Sequence, residues 1–316
     1  MEQNRPVLSI VIVNYNGLHF LPNCIASLQD HVPGTFEVIV VDNASQDGSL
    51  EWLKDNHPWV KLIRSSQNLG FTRGNNLGAR AASGEYLLLL NNDTEIQASL
   101  GPLLDLLRFN SSIGALGCTL AYGDGRLQES IGYAHTLWRM IFSWVPLKRI
   151  FPHNAAFRRT VAATSSLYEK PFVPVDWVSG ACLLTPLALW RQLGGLDERY
   201  FMYVEDVDYC RMVAEAGYTV AYSACGKVTH FEMAGRAWVG RRAVLNSTDS
   251  YLTFARKYFS WWECVLLRTF LPIAFAGRAA TCLLSSLLMR DKNSHEKAKA
   301  FGSAAWRLLS GSSGRA

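Results

Sequence analysis

The stretch EYLLLLNNDTEI, residues 85–96, decides the fold class of this chain. Its four consecutive leucines predict a strand buried on both faces, which is typical of the middle of a parallel sheet. The strand then stops on two amides and a carboxylate, Asn91, Asn92 and Asp93. Because ligands of open α/β sheets bind outside the C-terminal ends of the strands, this ending predicts a polar site at one edge of a sheet.

The segments before it continue the α/β pattern. Apolar runs at residues 7–13 and 36–41 alternate with segments of helical spacing, which predicts a parallel sheet covered by helices on both faces. Two further strand ends are polar, NYNG at 14–17 and DNASQDGS at 42–49. Local turn chemistry explains any one of these ends, but right-handed crossovers place all of them on one edge. We therefore expect one crevice lined by Asn14, Tyr15, Asp42, Asn43 and Asp93.

Composition excludes several classes of protein. The 316 residues are 49% hydrophobic and 18% charged, which suits a globular protein with a sizeable core. The seven cysteines occur singly, without a Cys-x-x-Cys pair, so neither a disulfide framework nor a zinc knuckle is indicated and the cytoplasm is expected. The absence of Gly-x-Gly-x-x-Gly and Walker motifs disfavours dinucleotide and P-loop enzymes. The N-terminal apolar run lacks a cationic start and a cleavage site, so we interpret it as a first strand and not as a signal peptide.

Three acidic residues open a predicted helix: Glu205, Asp206 and Asp208. Acids in a first helical turn complement the helix dipole, which is the alternative to a chemical role. The aromatic-rich run at 200–203 precedes them and suggests a partly dry cleft wall, where a carboxylate can have a tuned pKa. At about 100° per residue, Glu205 and Asp208 share a helix face while Asp206 points elsewhere, so their roles can differ.

The C-terminal tail, residues 251–316, carries the positive charge. It has ten Lys and Arg against three acids, a net charge of +7, whereas the rest of the chain has a net charge of −2. This asymmetry argues against a nucleic-acid-binding core and predicts a tail that meets anionic lipids. Residues 264–289 are strongly apolar, but Arg268 and Arg278 leave uncharged stretches of only nine and eleven residues. Spanning a bilayer needs about 20.

A helical wheel places the polar residues of this apolar segment in one sector: Arg268, Arg278, Ser285, Ser286 and Arg290. That pattern predicts a helix lying in the membrane surface, with Trp261 and Trp262 at the interface. Residues 294–309 repeat it more weakly. Packing of these helices on the core or on a second subunit is the alternative. The aromatic and basic residues 135–151 form either a lipid-facing insert or an ordinary amphipathic helix.

Five segments, in order, carry a family resemblance: SIVIVNYNG (9–17), FEVIVVDNASQDGS (36–49), NLGFTRGNNLGARAASGEYLLLLNNDTEI (68–96), WVSGACLLT (177–185) and GGLDERYFMYVEDVDYCRM (194–212). Together they resemble a family 2 glycosyltransferase of the GT-A fold, and within it the bacterial rhamnosyltransferase-like group that acts on lipid-linked glycans. The resemblance covers roughly residues 6–258. It implies a doubly wound, Rossmann-like, mostly parallel α/β sheet with the amphipathic helical tail after it. The implied divisions are a nucleotide-sugar half at 1–115, an acceptor and catalytic half at 116–250, and the membrane-associated tail at 251–316.

The resemblance also implies a pocket for a nucleoside diphosphate sugar. The residues that match this pocket are Val13, Asn14, Tyr15, Asp42, Asn43 and Arg73. Asp42 is expected to read the nucleotide base or ribose, and Arg73 belongs to the segment that closes over the nucleotide. Trp177 and Gly180 match the strand that approaches the donor sugar, although a buried core tryptophan is the alternative for Trp177.

A divalent metal, Mg²⁺ or Mn²⁺, is implied next to the diphosphate. Asn91, Asn92 and Asp93 stand where the family has an Asp-x-Asp motif, whose last Asp binds the ion. Asn91 departs from that pattern and leaves the site with one charge fewer. His230 matches a position that can complete the metal site, with a purely structural histidine as the alternative. Asp206 matches the general base that takes the acceptor proton, and Glu205 is the second choice for that role.

The predicted function is that of an inverting, metal-dependent glycosyltransferase of cell-surface polysaccharide synthesis. The donor expected from the resemblance is dTDP-L-rhamnose, the acceptor is a polyprenyl-diphosphate-linked glycan, and the enzyme lies on the inner face of the cell membrane. Transfer of hexose or N-acetylhexosamine from a UDP-sugar is the alternative within the class. A non-catalytic nucleotide-sugar or glycan-binding module and a nucleotidyltransferase are the alternatives outside it. The sequence leaves the oligomeric state open.

Overall fold

The computed structural model describes residues 5–144, 154–231, 240–289 and 292–310. The chain groups into two compact units, which are described separately. The sheet unit comprises residues 1–134, 160–201 and 205–234, and the helical unit comprises residues 135–159, 202–204 and 235–316. The predicted divisions at 115 and 250 stay a prediction.

The strands all lie in the sheet unit. Their bounds are β1 (Leu8–Asn14), β2 (Phe36–Asp42), β3 (Lys61–Arg64), β4 (Tyr86–Asn91), β5 (Thr94–Ile96), β6 (Ile113–Ala121), β7 (Ile131–Gly132), β8 (Val173–Pro174), β9 (Trp177–Val178), β10 (Cys182–Pro186) and β11 (Thr219–His230). Among the described residues, nine of them form one mixed sheet along the order β3-β2-β1-β4-β10-β6-β11-β5, with β8 also paired to β11. β7 and β9 form a separate two-stranded sheet.

Helices flank this sheet and build the helical unit. The sheet unit contains α1 (Leu21–His31), α2 (Ser49–Asn56), α3 (Gly70–Arg80), α4 (Gly101–Phe109), α6 (Leu187–Leu193) and α7 (Glu205–Glu215). The helical unit contains α5 (Leu137–Trp144), α8 (Arg241–Tyr258), α9 (Trp261–Met289) and α10 (Lys292–Ser310). Short 3-10 turns occur at Ala155–Phe157 and Ser166–Glu169.

The leucine strand lies in the middle of the sheet, as predicted. β4 pairs with β1 in parallel and with β10 in antiparallel register, and Leu87, Leu88 and Leu89 have no exposed surface. Burying one such side chain contributes about 1.5–3 kcal/mol relative to an exposed one. The strand is therefore firmly held, which sets the position of the polar residues that follow it.

Parallel register brings the polar strand ends together. Asn14 pairs with Asp42 across β1 and β2, and Val13 pairs with Asn91 across β1 and β4. α3 packs closely against this region because it presents glycines to β1: a Cβ at Gly74 would lie 2.8 Å from a methyl group of Val13. The three polar ends thus share one edge of the sheet.

The helical unit has an apolar core of its own. Residues from α5, α8, α9 and α10 build it, including Leu137, Leu252, Leu271, Phe275 and Ala304. The segment at 135–151 therefore begins as an amphipathic helix whose apolar face packs on the tail helices. The rest of this segment, from residue 145, lies outside the described residues, and so does Arg290 of the tail.

The tail is helical, as predicted, and α9 runs without a break for 29 residues. Within the described residues one helix, Trp261–Leu288, is long and apolar enough to cross a membrane by length and composition alone. The polar sector expected on this helix is divided. Arg268 is exposed, whereas the guanidinium of Arg278 lies over the rings of Trp144 and Phe301 at 5.1 and 5.5 Å, because a planar cation stacks well on aromatic faces.

Candidate active site

The polar end of β2 holds a buried carboxylate with an unused oxygen. Asp42 is only 1% exposed, and its Oδ2 accepts a hydrogen bond from the backbone N–H of Ser45 at 3.3 Å. Its Oδ1 has no hydrogen-bond partner within the described residues. A buried acceptor left unsatisfied costs about 1–3 kcal/mol. This oxygen is therefore well suited to a donor group of a ligand, such as a base N–H or a ribose hydroxyl.

Asn43 shapes the loop next to this carboxylate. Its Nδ2 donates to the carbonyl oxygen of Gly70 at 3.0 Å, and its Oδ1 accepts from the N–H of Leu69 at 3.1 Å. The loop is also held from the other side, because the N–H of Phe71 donates to the carbonyl oxygen of Phe201 at 2.9 Å. Both atoms of the Asn43 amide are thus engaged by the backbone that starts α3.

The ends of β1 and β4 are joined by their side chains. Asn92 Nδ2 donates to Asn14 Oδ1 at 2.8 Å, and Asn14 Nδ2 donates to Ser45 Oγ at 3.1 Å. Gly17 passes so close to this pair that a Cβ there would lie 1.9 Å from Asn92 Nδ2. Tyr15, at the same edge, has a ring that is 48% exposed. The hydrogen-bonded amides of Asn14 and Asn92 therefore lie at this edge of the sheet, together with the exposed ring of Tyr15.

A carboxylate and an imidazole meet beyond the end of β4. β11 ends at His230, which pairs with Thr94 of β5, and this register places His230 Nε2 3.3 Å from Asp93 Oδ1. Asn91 Nδ2 lies 3.1 Å from the same ring nitrogen, and the N–H of Phe231 donates to the carbonyl oxygen of Asp93 at 2.9 Å. The structure thus brings Asn91, Asp93 and His230 into one corner of the site.

The acid-rich start of α7 places one carboxylate beside this corner. Asp206 Oδ2 accepts from the N–H of Gly180 at 3.0 Å, and its Oδ1 accepts from the N–H of Val207 at 2.8 Å. Burial raises the pKa of Asp206, and the two N–H groups oppose that rise. The neighbouring carbonyl oxygen of Ala181 accepts from the N–H of Asn91 at 3.1 Å. The backbone of Gly180 and Ala181 therefore links Asp206 to Asn91, with one hydrogen bond to each of them.

Glu205 and Asp208 have different surroundings. Glu205 is 5% exposed and its Oε2 has no hydrogen-bond partner within the described residues. Burial first, and then the charges of Asp206 and Asp208, raise the pKa of Glu205 well above its usual range. Asp208 is fully buried and accepts a hydrogen bond from the hydroxyl of Tyr200 at 3.2 Å. Asp206 is thus the least buried of these three acids.

Backbone strain precedes these acids directly. Tyr203 and Val204 have φ angles of +73° and +69°, a left-handed conformation that is uncommon for non-glycine residues and a genuine outlier for a β-branched one. Such strain is of order 1–3 kcal/mol per residue and clusters at functional sites.

Comparisons with known proteins agree with this geometry. The family model described as Glycosyl transferase family 2 matches residues 9–164. A curated N-acetylglucosaminyl-diphospho-decaprenol L-rhamnosyltransferase from Mycobacterium tuberculosis is 29% identical over 299 residues, which cover 90% of this chain and 94% of that protein. Residues 9–164 thus match glycosyl transferase family 2. The chain is a glycosyltransferase, as the sequence segments predicted.

Solved glycosyltransferases share the fold of this enzyme. The crystal structure of GalNAc-T7 with UDP, GalNAc and Mn²⁺ matches with a TM-score of 0.60 at 16% identity, covering 98% of this chain, which spans 58% of that longer chain. The mannosyltransferase PcManGT from Pyrobaculum calidifontis, in complex with GDP-Man and Mn²⁺, matches with a TM-score of 0.55 at 15% identity, covering 97% of this chain and 88% of that one. At these identities the likeness confirms the predicted GT-A fold.

The donor atoms of this glycosyltransferase fit a hard divalent ion that keeps other ligands. Among the described residues there is no group of three or more His, Cys, Asp or Glu that could hold a metal. Asp93 and His230 remain as a pair, and two ligands at about 2.1 Å on adjacent octahedral positions lie about 3.0 Å apart, close to the observed 3.3 Å. One carboxylate and one imidazole leave room for diphosphate oxygens and waters.

Two predicted donor-binding residues of the glycosyltransferase have other contacts. Trp177 is buried, and its indole N–H donates to the carbonyl oxygen of Tyr133 at 3.2 Å, as a core tryptophan would. Arg73 lies on α3 with its Nε 3.6 Å from Glu198 Oε2, and both side chains are about half exposed. Gly180 lies beside Asp206, and a Cβ on it would be 3.3 Å from the ring of Phe71.

Sequence reasoning missed three residues of this site. Gln128 Oε1 lies 2.9 Å from His230 Nδ1, Ser45 bonds to both Asn14 and Asp42, and Gly17 makes room for the Asn14–Asn92 pair. The small residues stand inside motifs that were recognised, so their spacing could have found them. Gln128 follows the turn at 122–125, and no local pattern marks it.

Proposed function

We propose that this glycosyltransferase moves L-rhamnose from dTDP-L-rhamnose to a hydroxyl of a polyprenyl-diphosphate-linked glycan, with inversion at the anomeric carbon. The observation that carries the proposal is the position of Asp206. Both of its oxygens accept hydrogen bonds from backbone N–H groups. The backbone of Gly180 and Ala181 links it by hydrogen bonds to Asn91, two residues before Asp93. The M. tuberculosis relative, named for rhamnose transfer to a diphospho-decaprenol acceptor, supports the choice of donor and acceptor.

Asp206 acts as the general base in this proposal. Its carboxylate takes the proton of the acceptor hydroxyl while that oxygen bonds to the anomeric carbon, and the bond from this carbon to the diphosphate oxygen breaks on the opposite face. One displacement inverts the configuration. A positioned base contributes on the order of 10²- to 10⁴-fold in rate. Burial raises the pKa of Asp206, which makes its carboxylate a stronger base.

The diphosphate of the donor is held at the end of β4. A divalent cation bound by Asp93 and His230 would offset the negative charge of the departing nucleoside diphosphate. Asn91, an amide, leaves the site with a lower negative charge than a second carboxylate would. An imidazole ligand favours Mn²⁺ over Mg²⁺ in such a site, because imidazole suits transition metals better than alkaline-earth ions.

The nucleotide is bound at the ends of β1 and β2. The unused Oδ1 of Asp42 accepts from a base N–H or a ribose hydroxyl, and the exposed ring of Tyr15 covers the same edge. Residues 1–115 thus supply the nucleotide pocket and residues 116–250 supply the base and His230. Residues 251–316 attach the enzyme to the membrane.

Attachment to the inner face of the cell membrane rests on the surface of the helical unit. Large apolar side chains are exposed along α9 and α10: Trp261, Trp262, Leu266, Ile273, Leu284, Leu287, Leu288, Trp306 and Leu309. The net charge of the tail is +7, and each basic residue near an anionic leaflet contributes about 1 kcal/mol. A lipid-linked acceptor is confined to the same surface.

A donor screen tests this function. Full-length protein is incubated with a synthetic polyprenyl-diphosphate N-acetylglucosamine and either dTDP-L-rhamnose or UDP-hexoses, and the released nucleotide is identified by chromatography. We expect dTDP release with dTDP-L-rhamnose, and no release by the Asp206→Asn variant. Release of UDP instead would establish the alternative donor class. Free diphosphate as product would establish nucleotidyl transfer, and binding without any release would establish a non-catalytic module.

A further inference from the structure

We propose that Gln128 is a positioning residue that fixes the tautomer of His230, so that Nε2 presents its lone pair to a cation shared with Asp93. This role rests on the proposed use of a divalent metal. It concerns a residue outside the segments that carry the family resemblance, in the turn region between β6 and β7.

The first observation is the contact of Gln128 itself. His230 Nδ1 lies 2.9 Å from Gln128 Oε1, and an amide oxygen can only accept a hydrogen bond. Nδ1 therefore carries the proton in this contact. Gln128 and His230 are 9% and 8% exposed, so water competes little for the bond.

A second amide reaches the other ring nitrogen and leads to the same tautomer. Asn91 Nδ2 lies 3.1 Å from His230 Nε2, and an amide nitrogen can only donate. Nε2 is therefore the acceptor, and a cation bound to its lone pair would take the place of the Asn91 N–H. Two amides, one at the end of β4 and one between β6 and β7, thus select the Nδ1–H form of His230.

Asp93 makes this tautomer useful. Its Oδ1 lies 3.3 Å from His230 Nε2, so a carboxylate oxygen and a nitrogen lone pair face each other. Two such acceptors repel in the absence of a proton or cation between them, and together they attract a cation. Ligating histidines almost always donate their other N–H to an oxygen, which fixes the ring orientation and the tautomer. Gln128 supplies that oxygen.

Backbone hydrogen bonds hold Gln128 in position beside His230. Its N–H donates to the carbonyl oxygen of Leu120 at 2.8 Å, and the turn before it closes with the N–H of Tyr122 donating to the carbonyl oxygen of Arg126 at 2.8 Å. Leu120 pairs with Val228 across β6 and β11. The same two strands therefore position the amide and the imidazole. The tight turn at 122–125 serves to bring Gln128 back to the strand end.

The neutral amide of Gln128 also affects the affinity of the site for a metal ion. In a carboxylate–histidine pair the second carboxylate raises the basicity of the ligand, whereas Gln128 orients the ring without adding charge. Among the described residues of this corner, Asn91 and Gln128 are neutral amides and Asp93 supplies a carboxylate. We expect the metal to bind more tightly with the nucleoside diphosphate present than alone, because the diphosphate supplies the missing negative charge.

The test uses three variants of the full-length protein. Gln128→Leu removes the acceptor, Gln128→Glu keeps an acceptor, and Gln97→Leu makes the same chemical change at an exposed glutamine. Circular dichroism and thermal unfolding report folding. Nitrogen-15 NMR of the metal-free protein at pH 8 reports the tautomer of His230, assigned by loss of its signals in His230→Ala. Binding of Mn²⁺, alone and with dTDP, is measured by electron paramagnetic resonance.

We expect the Nδ1–H tautomer in the wild type and a mixture in Gln128→Leu. The affinity for Mn²⁺ should fall about 10- to 100-fold in Gln128→Leu, and it should be kept or increased in Gln128→Glu and unchanged in Gln97→Leu. A wild-type His230 in the Nε2–H form would overturn the role of Gln128. So would equal Mn²⁺ affinity in the wild type and a folded Gln128→Leu. Absence of saturable Mn²⁺ binding by the wild type, with or without dTDP, would overturn the proposed metal use as well, and this separates the two failures.

Discussion

Asn92 donates a hydrogen bond to Asn14 at 2.8 Å, and this contact joins the C-terminal ends of β4 and β1. The two strands are adjacent and parallel, so their ends lie side by side before any side chain acts. The amide pair then prevents the two loops from separating. The backbone at Gly17 passes close to this amide pair, and a Cβ on Gly17 would lie 2.4 Å from Asn14 Oδ1.

Gly17→Ala should break this contact. The added methyl group overlaps Asn92, and the backbone has to shift at the nucleotide edge. We expect a loss of about 1–3 kcal/mol in the free energy of unfolding and at least a tenfold rise in KM for the donor. Gly302→Ala is the matched control, since no atom lies within 4 Å of the position of its Cβ. There the melting temperature should stay or rise, because alanine favours a helix by about 1 kcal/mol over glycine. Equal donor KM in the wild type and Gly17→Ala would contradict this account.

The fold could be predicted where local pattern and global topology agree. The buried run Leu87–Leu90 and its polar ending indicated a central strand with a site beyond it, and the right-handed crossover rule placed the strand ends on one edge. The pairing of β10 between β4 and β6 could not be predicted in the same way. It joins Leu183 to Leu89 and to Gly117, and such long-range antiparallel partners leave no trace in local periodicity.

The site residues also divide into those that the sequence could predict and those that depend on long-range contacts. Asp93 and His230 could be named from the family resemblance, but Gln128 could not, because its role depends on where the turn after β6 returns the chain. Trp177 illustrates the opposite case. Sequence reasoning left a choice between a sugar-facing and a core indole, and its hydrogen bond to the carbonyl oxygen of Tyr133 satisfies the N–H inside the protein.

Asp206→Asn should lower activity strongly, whereas Glu205→Gln should change it little. The first removes the base, so kcat should fall by about 10²- to 10⁴-fold. The second changes a buried carboxyl group that takes no part in proton transfer in this proposal, so kcat should stay within a few-fold of the wild type. Steady-state release of the nucleoside diphosphate measures both. A large loss in Glu205→Gln with normal Asp206→Asn activity would exchange the two roles.

The raised pKa of Glu205 also predicts how stability depends on pH. A carboxyl group whose pKa is higher in the folded than in the unfolded state binds more protons when folded. Its contribution to stability is therefore full below the unfolded pKa of about 4.3 and is lost as pH rises towards the folded pKa. Urea unfolding at pH 5 and pH 8 should show that the wild type loses more stability over this range than Glu205→Gln does. Equal losses in the two proteins would mean that Glu205 is ionised without penalty.

Asp42→Asn should weaken nucleotide binding without unfolding the protein. Its Oδ1 is buried and has no partner in the described part of the chain, so an amide can replace this oxygen with its NH₂ group and keep the oxygen that accepts from the N–H of Ser45. We expect dTDP affinity, measured by calorimetry, to fall about tenfold or more, since a hydrogen bond to a charged group is worth about 1.5–3 kcal/mol. Asp55→Asn, an exposed change on α2, should leave the affinity unchanged. Unaltered affinity in Asp42→Asn would remove this residue from the nucleotide pocket.

Leu284 and Leu287 should contribute to membrane binding because both are exposed on α9, at 59% and 70%. Burying a leucine contributes about 1.5–3 kcal/mol, so replacing both by glutamate should reduce binding to vesicles with anionic lipid at least tenfold. Phe109→Glu is the control, because this side chain is 81% exposed on α4 of the sheet unit. Vesicle flotation measures the binding. Alkaline carbonate should release the wild type, since the exposed Arg268 interrupts the apolar surface that a spanning helix needs. Retention by carbonate would instead indicate that α9 crosses the bilayer.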